Sequence, residues 1–495
     1  MSNDKTKVSG VTYTTADSGY FEKRELKRSG GLWALWGLAI AAVISGDFSG
    51  WNFGLDSGGF GGLLAAFVIL VLMYYGMMFS IGEMAAAMPH TGGAYSFARA
   101  AMGPWGGFIT GLAETIEYVA TTAVIIFFSA SYTDAITGEL LNFHLPMWAW
   151  WIILYAVFIA LNAAGSSISF KFALVVAIMS IAILVIFSVM ALFSGKLDWS
   201  SLTNITPDAG QSVWLPHGVL GILYAMPFAV WFFLGIEELP LAAEEAHDPV
   251  RDIPRAGFWA RTTLIILGLA VLFLNTALTG ADGLKASGEP LLDGFRVMMG
   301  DGWAAVLGIF ALVGLLASAQ GIMFAYGRNM YSLSRAGYYP KVLSLTGKAK
   351  TPWVALLVGG IIGFVSLVLV DWLGQANKDV GAVAGAIVLN IAVWGAMLAY
   401  LMQMASFLLL RKKFPNANRP YKSPWGLFGG WIGLIISGLA FVGFLLNPTF
   451  LPAIIAIAVV YVVLLAIFAL YSRHRLILSP EEEYALNGGL DQDTK

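Results

Sequence analysis

The sequence predicts an all-α integral membrane protein with twelve transmembrane helices. Three observations lead to this fold class: 58% of the 495 residues are hydrophobic, only 12% are charged, and the mean hydropathy is +0.76. A water-soluble domain is about half apolar and roughly a quarter charged, so this chain has too little polar surface to cover a soluble globule. The apolar stretches lack the period-two alternation of barrel strands, which indicates helices.

Twelve stretches are long enough to cross a hydrocarbon core, which needs about 20 apolar residues per helix. We number them spans 1 to 12, at residues 32–55, 60–84, 105–132, 147–163, 168–194, 216–240, 258–279, 303–327, 353–371, 380–409, 430–446 and 450–471. They divide the chain into an N-terminal tail (1–31), five spans (32–194), five further spans (214–410), two additional spans (428–471) and a C-terminal tail (472–495).

The basic residues predict the orientation. If the N-terminus is cytoplasmic, all but four of the 28 Lys and Arg residues fall on the cytoplasmic side; the four are Lys196, Lys285, Arg296 and Lys378. Because Lys and Arg accumulate in cytoplasmic loops, we expect both termini to be cytoplasmic. The N-terminal tail has no short apolar run before a cleavage site, so we expect span 1 to be an uncleaved signal-anchor.

Composition excludes several function classes. A net charge of -2 argues against a nucleic-acid partner, and the absence of cysteine excludes disulfides, iron–sulfur clusters and thiolate nucleophiles. The five histidines are scattered and none lies in mid-span, which argues against haem or a bound metal. The sequence also lacks a phosphate-binding loop. We therefore expect no enzyme activity and no cofactor, only a coupling H⁺ or Na⁺.

Two spans contain sequence that is unfavourable inside a helix. Span 1 contains the run Ile44-Ser45-Gly46-Asp47-Phe48-Ser49-Gly50, and span 6 contains Gly235-Ile236-Glu237-Glu238-Leu239-Pro240. Non-helical backbone persists in a membrane only where protein or a water-filled cavity covers it, and paired broken helices indicate a transporter's substrate site. The alternative is that the glycines serve close helix packing, which does not explain the carboxylates beside them.

Three motifs resemble those of the amino acid–polyamine–organocation superfamily. They are Gly235-Ile236-Glu237 with Ala243-Glu244-Glu245-Ala246-His247-Asp248-Pro249 and Ile253-Pro254-Arg255-Ala256 at span 6, Pro89-His90-Thr91-Gly92-Gly93-Ala94-Tyr95 after span 2, and the run 327–340 with Thr351-Pro352 after span 8. The resemblance covers residues 30–475. It implies a leucine-transporter-like fold of two inverted five-helix repeats, with broken helices 1 and 6 and two extra helices.

The span 1 run departs from the Gly-Ser-Gly-Ile-Phe-like sequence usual in amino acid permeases. The string from Ile44 to Leu55 is instead similar to that of bacterial ethanolamine permeases. This resemblance implies a secondary active transporter that imports ethanolamine across the bacterial inner membrane by alternating access, driven by an ion gradient. Besides this substrate, we expect contact with membrane lipid and no nucleic-acid partner.

Asp47 lies where amino acid carriers of this fold receive a substrate carboxylate on free backbone N–H groups. A carboxylate about 5 Å from Asp47 would be repelled by roughly 3 kcal/mol at an effective dielectric of ~20, and an ammonium attracted by as much. The aspartate therefore predicts a site, with Ser45 and Gly46 beside it, that prefers a cation. The alternative role for Asp47 is capping of the broken helix.

Span 3 carries Glu114 and Glu117, which share one helix face because they are three residues apart. Intramembrane carboxylates are costly and usually functional, so we predict a substrate or proton site. Two alternatives remain: an ion pair with a cation at a helix end, and a solvated position near a loop. If both acids line one cavity, one of them is expected to carry a proton.

Span 6 supplies further candidates. Glu237 matches the acidic position of the superfamily and is predicted to contact substrate or to couple a proton to gating. Trp231 and Phe232 are candidates to cover the bound amine through their ring faces, although most aromatic residues of a membrane protein pack or lie at the interface. Gly235 marks the break itself.

The coupling ion has two candidate sites. Span 5 carries only Lys171 near its start, and Ser180 stands near the position where some proton-driven relatives hold a lysine. Sodium would then lie between the span 1 backbone and Ser318 of span 8, whereas a proton would reside on Glu117 or Glu237. A serine in a helix usually bonds its own backbone.

Two competing functions remain. A carrier for amino acids or polyamines would use the same fold. A membrane receptor or channel is a different class, and it would not require two broken helices five spans apart, although channels also use re-entrant backbone.

Overall fold

The structure is a computed structural model, and it describes residues 5–8, 10–14, 20–21, 26, 28, 30–89, 92–376 and 384–486. His90 and Thr91 of the motif after span 2 and Lys378 lie outside the described residues. The helices are α1 Leu32–Val43, α2 Ser45–Phe48, α3 Phe53–Ala87, α4 Gly93–Leu141, α5 Met147–Ala163, α6 Ser166–Phe193, α7 Gly218–Trp231, α8 Pro249–Thr279, α9 Ala281–Leu284, α10 Pro290–Met299, α11 Asp301–Arg335, α12 Trp353–Ala376, α13 Ala384–Lys413, α14 Gly426–Leu446, α15 Leu451–Leu470 and α16 Pro480–Leu486. The strands are β1 Lys5–Val8, β2 Val11–Thr14 and β3 Leu476–Ile477, and 3₁₀ segments occur at Trp199–Thr203, Ile236–Glu245, Lys341–Ser344 and Ser472–His474.

The helices have the length and surface of membrane helices. In the described part of the chain, ten are long and apolar enough to cross a membrane, and the segments Leu32–Phe48 and Met147–Ala163 are shorter and apolar. Large apolar side chains point outward: Val365, Ile435 and Val462 are each more than half exposed. Such a surface is stable in lipid and not in water, so the protein is a multi-pass membrane protein.

The interior is organised around α4, which packs against α13 and α11. Further packing joins α3 to α7 and α1 to α6 and α8. Two long helices are kinked, α3 at Gly59 and α4 at Gly103. The kink in α3 separates the end of span 1 from span 2, near the boundary that the sequence predicts.

The two tails meet in a small sheet that the all-α prediction did not include. Strands β1 and β2 form an antiparallel hairpin, and β2 pairs in parallel with β3, so that Tyr13 lies opposite Leu476. In α16, the Glu482 carboxylate accepts hydrogen bonds from Tyr13 (2.6 Å), Arg99 (2.5 Å) and Tyr338 (2.9 Å). Both tails therefore lie on one side of the protein, which we call the terminal face.

Candidate functional site

The break in span 1 is a short non-helical link, Ser49–Asn52, between α2 and α3. Neighbouring helices satisfy its backbone: the Ser45 N–H donates to the Ser318 hydroxyl of α11 (2.9 Å), and the Tyr132 hydroxyl of α4 donates to the Phe48 carbonyl (2.9 Å). Buried backbone groups need such partners, so this break is stabilised by α4 and α11 together.

The break in span 6 follows α7 and continues into the 3₁₀ segment Ile236–Glu245. Gly235 has φ +102°, a conformation that glycine adopts at little cost. The two breaks touch: the Trp231 indole N–H donates to the Ser49 carbonyl (2.8 Å), and a Cβ at Gly46 would lie 2.4 Å from the Trp231 carbonyl oxygen. Only glycine permits this close approach of the two backbone segments.

Asp47 is fully buried, and neither carboxylate oxygen has a hydrogen-bond partner among the described residues. This geometry does not fit the capping alternative, because a capping aspartate would accept a hydrogen bond from a backbone N–H. A Cβ at Gly268 of α8 would lie 3.2 Å from Asp47 Oδ1 and 3.1 Å from the Phe232 ring. The carboxylate therefore lies beside α8, and Phe67 and Phe232 lie against the same glycine.

Glu114 and Glu117 are both buried on α4, with side chains that make different contacts. Glu114 accepts hydrogen bonds from the Asn329 amide of α11 (3.2 Å) and from Tyr118 (3.4 Å). Glu117 has no hydrogen-bond partner among the described residues and lies near Glu237. Neither acid forms an ion pair with a described cation, so the structure does not match the ion-paired alternative. Both side chains are buried, so it does not match the solvated alternative either.

Glu237 lies between the span 6 break and α13. Its Oε2 accepts a hydrogen bond from the Tyr400 hydroxyl of α13 (2.6 Å) and one from the Gly235 N–H (3.2 Å). The Tyr74 hydroxyl lies 3.5 Å from that of Tyr400. Glu117, Glu237, Tyr400 and Tyr74 therefore form one continuous polar cluster inside the membrane body, which we call the acidic cluster.

The two aromatic candidates pack between helices. Trp231 is 2% exposed and joins the two breaks through its indole N–H. Phe232 contacts the rings of Trp51 (5.8 Å between centroids) and Phe67 (5.1 Å). Phe232 lies next to Asp47 across Gly268, so its ring is a candidate to cover a cation held there.

The predicted residues therefore divide between two places. The structure brings Glu117 and Glu237 together against α13, and it places Asp47 and Phe232 together beside α8. The remaining predicted residues lie at the two breaks themselves: Ser45, Gly46, Trp231, Gly235 and Ser318. The two acidic positions therefore contact different helices, α8 and α13, a division that linear sequence does not reveal.

Tyr400, Tyr74 and Asn329 are contacts of the site that sequence reasoning missed. Each bonds to or adjoins a candidate carboxylate. The chain contains 18 tyrosines, and nothing in the run around Tyr400 distinguishes it from an ordinary aromatic in an apolar helix. Only the packing of α13 on α4 reveals its role.

The site is enclosed from both sides. On the side opposite the terminal face, the Asn52 amide donates to the carbonyls of Leu284 (2.7 Å) and Ser287 (2.9 Å). Towards the terminal face, Arg328 forms a fully buried ion pair with Glu245 (2.9 Å). These contacts join the breaks to flanking segments on both sides.

Comparison with known proteins gives a consistent result. The chain matches the sequence model described as Amino acid permease over residues 35–479. An uncharacterized transporter of Rhizobium meliloti is 27% identical over 415 residues, which cover 82% of this chain and 84% of the relative. The branched-chain amino acid permease BcaP of Bacillus subtilis is 26% identical over 485 residues, with coverage of 91% and 94%.

Solved structures give the same fold. A mutant of the Eremococcus coleocola manganese transporter aligns with a TM-score of 0.57 and 16% identity, over 94% of this chain and 99% of that chain. At such low identity the likeness concerns the fold alone. Among the described residues, no group of three or more His, Asp or Glu side chains is arranged to hold a metal ion.

Proposed function

The chain belongs to the amino acid permease family and is a transporter rather than an enzyme, and within that family we propose that it imports ethanolamine across the bacterial inner membrane. The carrier works by alternating access and is driven by an ion gradient. The observation that carries this proposal is the buried Asp47 carboxylate at the span 1 break, which has no hydrogen-bond partner among the described residues.

An unpaired carboxylate selects the sign of the substrate. Taking a lone charge out of water costs several kcal/mol, and an ammonium group arriving beside it offsets that cost. A substrate carboxylate about 5 Å away would instead be repelled by roughly 3 kcal/mol at an effective dielectric of ~20. Ethanolamine has the ammonium group and lacks the carboxylate, so it fits the charge of the site better than a zwitterionic amino acid.

Phe232 adds to this preference. Its ring and the Asp47 carboxylate both pack closely against Gly268 of α8, where a Cβ would lie 3.1 Å from the ring and 3.2 Å from Oδ1, so there is little space between them and α8. An ammonium held there contacts the carboxylate and the ring face, and the ring contributes about 0.5–2 kcal/mol. A bulkier amine meets α8, so the same geometry favours a small substrate.

The acidic cluster is our proposed site for a coupling proton. Glu117 and Glu237 are both buried and lie near each other, and two neighbouring buried carboxylates do not both ionise readily. Tyr400, which donates to Glu237, stabilises the ionised member of the pair. Sodium is the competing ion, and its candidate ligand Ser318 already binds the span 1 break through the Ser45 N–H.

A second candidate function is amino acid transport, and the names of relatives favour it. BcaP is named a branched-chain amino acid permease, and HisP of Lactococcus lactis, 26% identical over 396 residues, is named a histidine permease. In this alternative a substrate carboxylate approaches the break, and Asp47 has to be neutral.

Uptake by the purified protein in proteoliposomes tests the proposal. Labelled ethanolamine, serine, valine and histidine are compared under an imposed proton gradient, an imposed sodium gradient and neither, with protein-free liposomes as the control. We expect ethanolamine to accumulate under the proton gradient and the amino acids to remain at the level of the control. Accumulation of an amino acid in preference to ethanolamine would refute the proposed substrate.

A further inference from the structure

A cavity of about 880 Å³ opens on the terminal face, between the end of α13 and the start of α14. It is separate from the transport site: its lining comes from residues 405–434, none of which belongs to either break or to the acidic cluster. Both helices are among those long and apolar enough to cross a membrane. The cavity therefore lies at the level where the apolar helices reach the edge of the bilayer.

The rim of the cavity is basic. Arg411, Lys412, Arg419 and Lys422 line it, and no acidic residue is among its described lining residues. One carboxylate, Glu83, lies behind the rim and pairs with Arg411 and with Arg419 (3.0 Å). The rim thus retains three net positive charges, because one buried acid is shared by two arginines.

The arginines form a fixed frame and the lysines do not. The Arg419 guanidinium also donates to the carbonyls of Phe414 (2.7 Å) and Ala417 (3.1 Å). Lys412 and Lys422 are exposed, and within the described residues neither has a hydrogen-bond or ion-pair partner. Two ammonium groups beside a rigid basic frame are therefore available to an anion from outside the protein.

The rest of the cavity is apolar. Leu408 lies one helical turn before Lys412 on α13, and Leu427 and Trp431 are one turn apart on α14. Leu427 is 50% exposed and Trp431 is 53% exposed. Tryptophan is common at the membrane interface, where its ring contacts both headgroups and chains. The cavity thus offers positive charge at one end and apolar surface next to it.

We propose that this cavity binds an anionic phospholipid. The phosphate lies between Lys412 and Lys422, with the arginine frame behind it, and the acyl chains lie along Leu408, Leu427 and Trp431. Basic pockets between transmembrane helices bind anionic headgroups on the cytoplasmic side, the side on which the distribution of Lys and Arg places the terminal face. A free phosphate compound has no group for the apolar surface, so the lipid fits the whole cavity and the free anion only its rim.

Native mass spectrometry of the delipidated full chain tests this proposal. The protein is titrated with phosphatidylglycerol, with phosphatidylcholine of the same chains, and with glycerol phosphate. We expect preferential binding of phosphatidylglycerol, and no competition by glycerol phosphate at equal concentration. Equal affinity for the two lipids would overturn the headgroup assignment, and effective competition by glycerol phosphate would show that the ligand is a free phosphate compound.

The variant Lys412→Gln/Lys422→Gln removes the two available ammonium groups. Each contributes about fivefold to the affinity for an anionic lipid, so phosphatidylglycerol binding should weaken roughly 25-fold. The matched control is Lys171→Gln/Lys348→Gln, which removes two exposed lysines elsewhere on the terminal face and should bind like the parent. Equal losses in the two double variants would overturn the site.

A salt series on the unchanged protein gives an independent measurement, which holds even if the rim variant folds poorly. Binding of phosphatidylglycerol should weaken as salt rises from about 0.05 M to about 0.5 M, because the lysines are exposed and their field is screened. Binding of phosphatidylcholine should change little. A salt-independent affinity for phosphatidylglycerol would contradict the role of the two lysines.

Discussion

Buried carboxylates near the terminal face differ from those around the helix breaks. Near the terminal face, Glu245 pairs with Arg328, Glu83 with Arg411, and Glu482 with Arg99. Around the breaks, Asp47 and Glu117 have no described cation within ion-pair distance and no hydrogen-bond partner. Buried carboxylates therefore have two different environments in this protein.

The difference separates acids that are neutralised within the protein from acids that are not. A buried carboxylate without a partner costs several kcal/mol, and an arginine at hydrogen-bonding distance removes much of that cost. The paired acids join segments that are distant in sequence, such as α3 to α13 through Glu83. The unpaired acids connect no segments, and nothing offsets the free-energy cost of burying them. This is expected of carboxylates that bind a cation or a proton.

The largest expected effect is on a paired acid. Arg328→Met leaves Glu245 buried without its arginine, and we expect the free energy of unfolding to fall by about 3–5 kcal/mol. Denaturant unfolding in detergent measures it. The double variant Arg328→Met/Glu245→Gln should recover most of the loss.

The matched control for this experiment is Glu117→Gln, which removes a buried carboxylate that has neither an arginine nor a hydrogen-bond partner among the described residues and should not lower stability. If Arg328→Met unfolds like the parent, the pair at the terminal face is not structural. If Glu117→Gln destabilises as strongly as Arg328→Met, the distinction between the two groups of acids is wrong.

The next effect concerns substrate affinity at Asp47. Asp47→Asn keeps the size of the side chain and removes its charge, so ethanolamine should lose about 3 kcal/mol of attraction, roughly two orders of magnitude in affinity. Isothermal titration of the purified variant measures the change. Asp371→Asn, which removes an exposed carboxylate on α12, is the control and should bind like the parent.

An affinity of Asp47→Asn within about threefold of the parent would mean that Asp47 does not select the cation. Weak binding of an amino acid by the variant, with none by the parent, would instead strengthen the electrostatic explanation. The result therefore separates ethanolamine transport from amino acid transport on the basis of one charge.

A smaller effect is expected for coupling through Glu117. Glu117→Gln should lose proton-driven accumulation but retain exchange of ethanolamine for ethanolamine, because exchange needs no net proton movement. A gradient of two pH units drives at most ~100-fold accumulation per proton, and this factor should disappear. Glu114→Gln is the matched control, since Glu114 bonds to Asn329 and not to Glu237. Proton-driven accumulation by Glu117→Gln would remove this residue from the coupling site.

Much of the fold was predictable from sequence, because apolar length depends on local composition. Span 1 is predicted to begin at residue 32, where α1 begins, and both unfavourable runs coincide with breaks in the structure. The small sheet between the tails was missed. Its strands are two to four residues long, and β2 pairs with a segment more than 460 residues away, which no local pattern indicates.

The site was predictable by residue type but not by arrangement. Intramembrane acids stand out in sequence because they are costly, so Asp47, Glu117 and Glu237 were identifiable. Their division between α8 and α13 depends on how α4, α8 and α13 pack, which is a property of the assembled helices. Tyr400 was not identifiable, because a tyrosine that donates to a carboxylate has no local signature.

The last prediction concerns Glu289, which is intermediate between paired and unpaired acids. Its carboxylate lies 3.6 Å from Arg296, but that arginine also binds Asp293 (2.7 Å) and Glu139. Burial raises the pKa of Glu289 from 4.5 to about 6, while attraction by Arg296 opposes the rise and Asp293 adds to it. One arginine shared by three acids therefore only partly stabilises this carboxylate.

Because the pKa of Glu289 is higher in the folded protein, protonation stabilises the fold. That contribution is fully present below about pH 4.5, is lost as the pH rises through about 6, and amounts to about 2 kcal/mol. The stability of Glu289→Gln, measured by denaturant unfolding at several pH values, should lack this decrease. Asp301→Asn, which removes an exposed acid at the start of α11, should keep the parent's profile. Identical pH profiles for the parent and Glu289→Gln would show that a shared arginine is sufficient to stabilise this carboxylate. Contact with any arginine, rather than an exclusive pair, would then distinguish the two groups of acids.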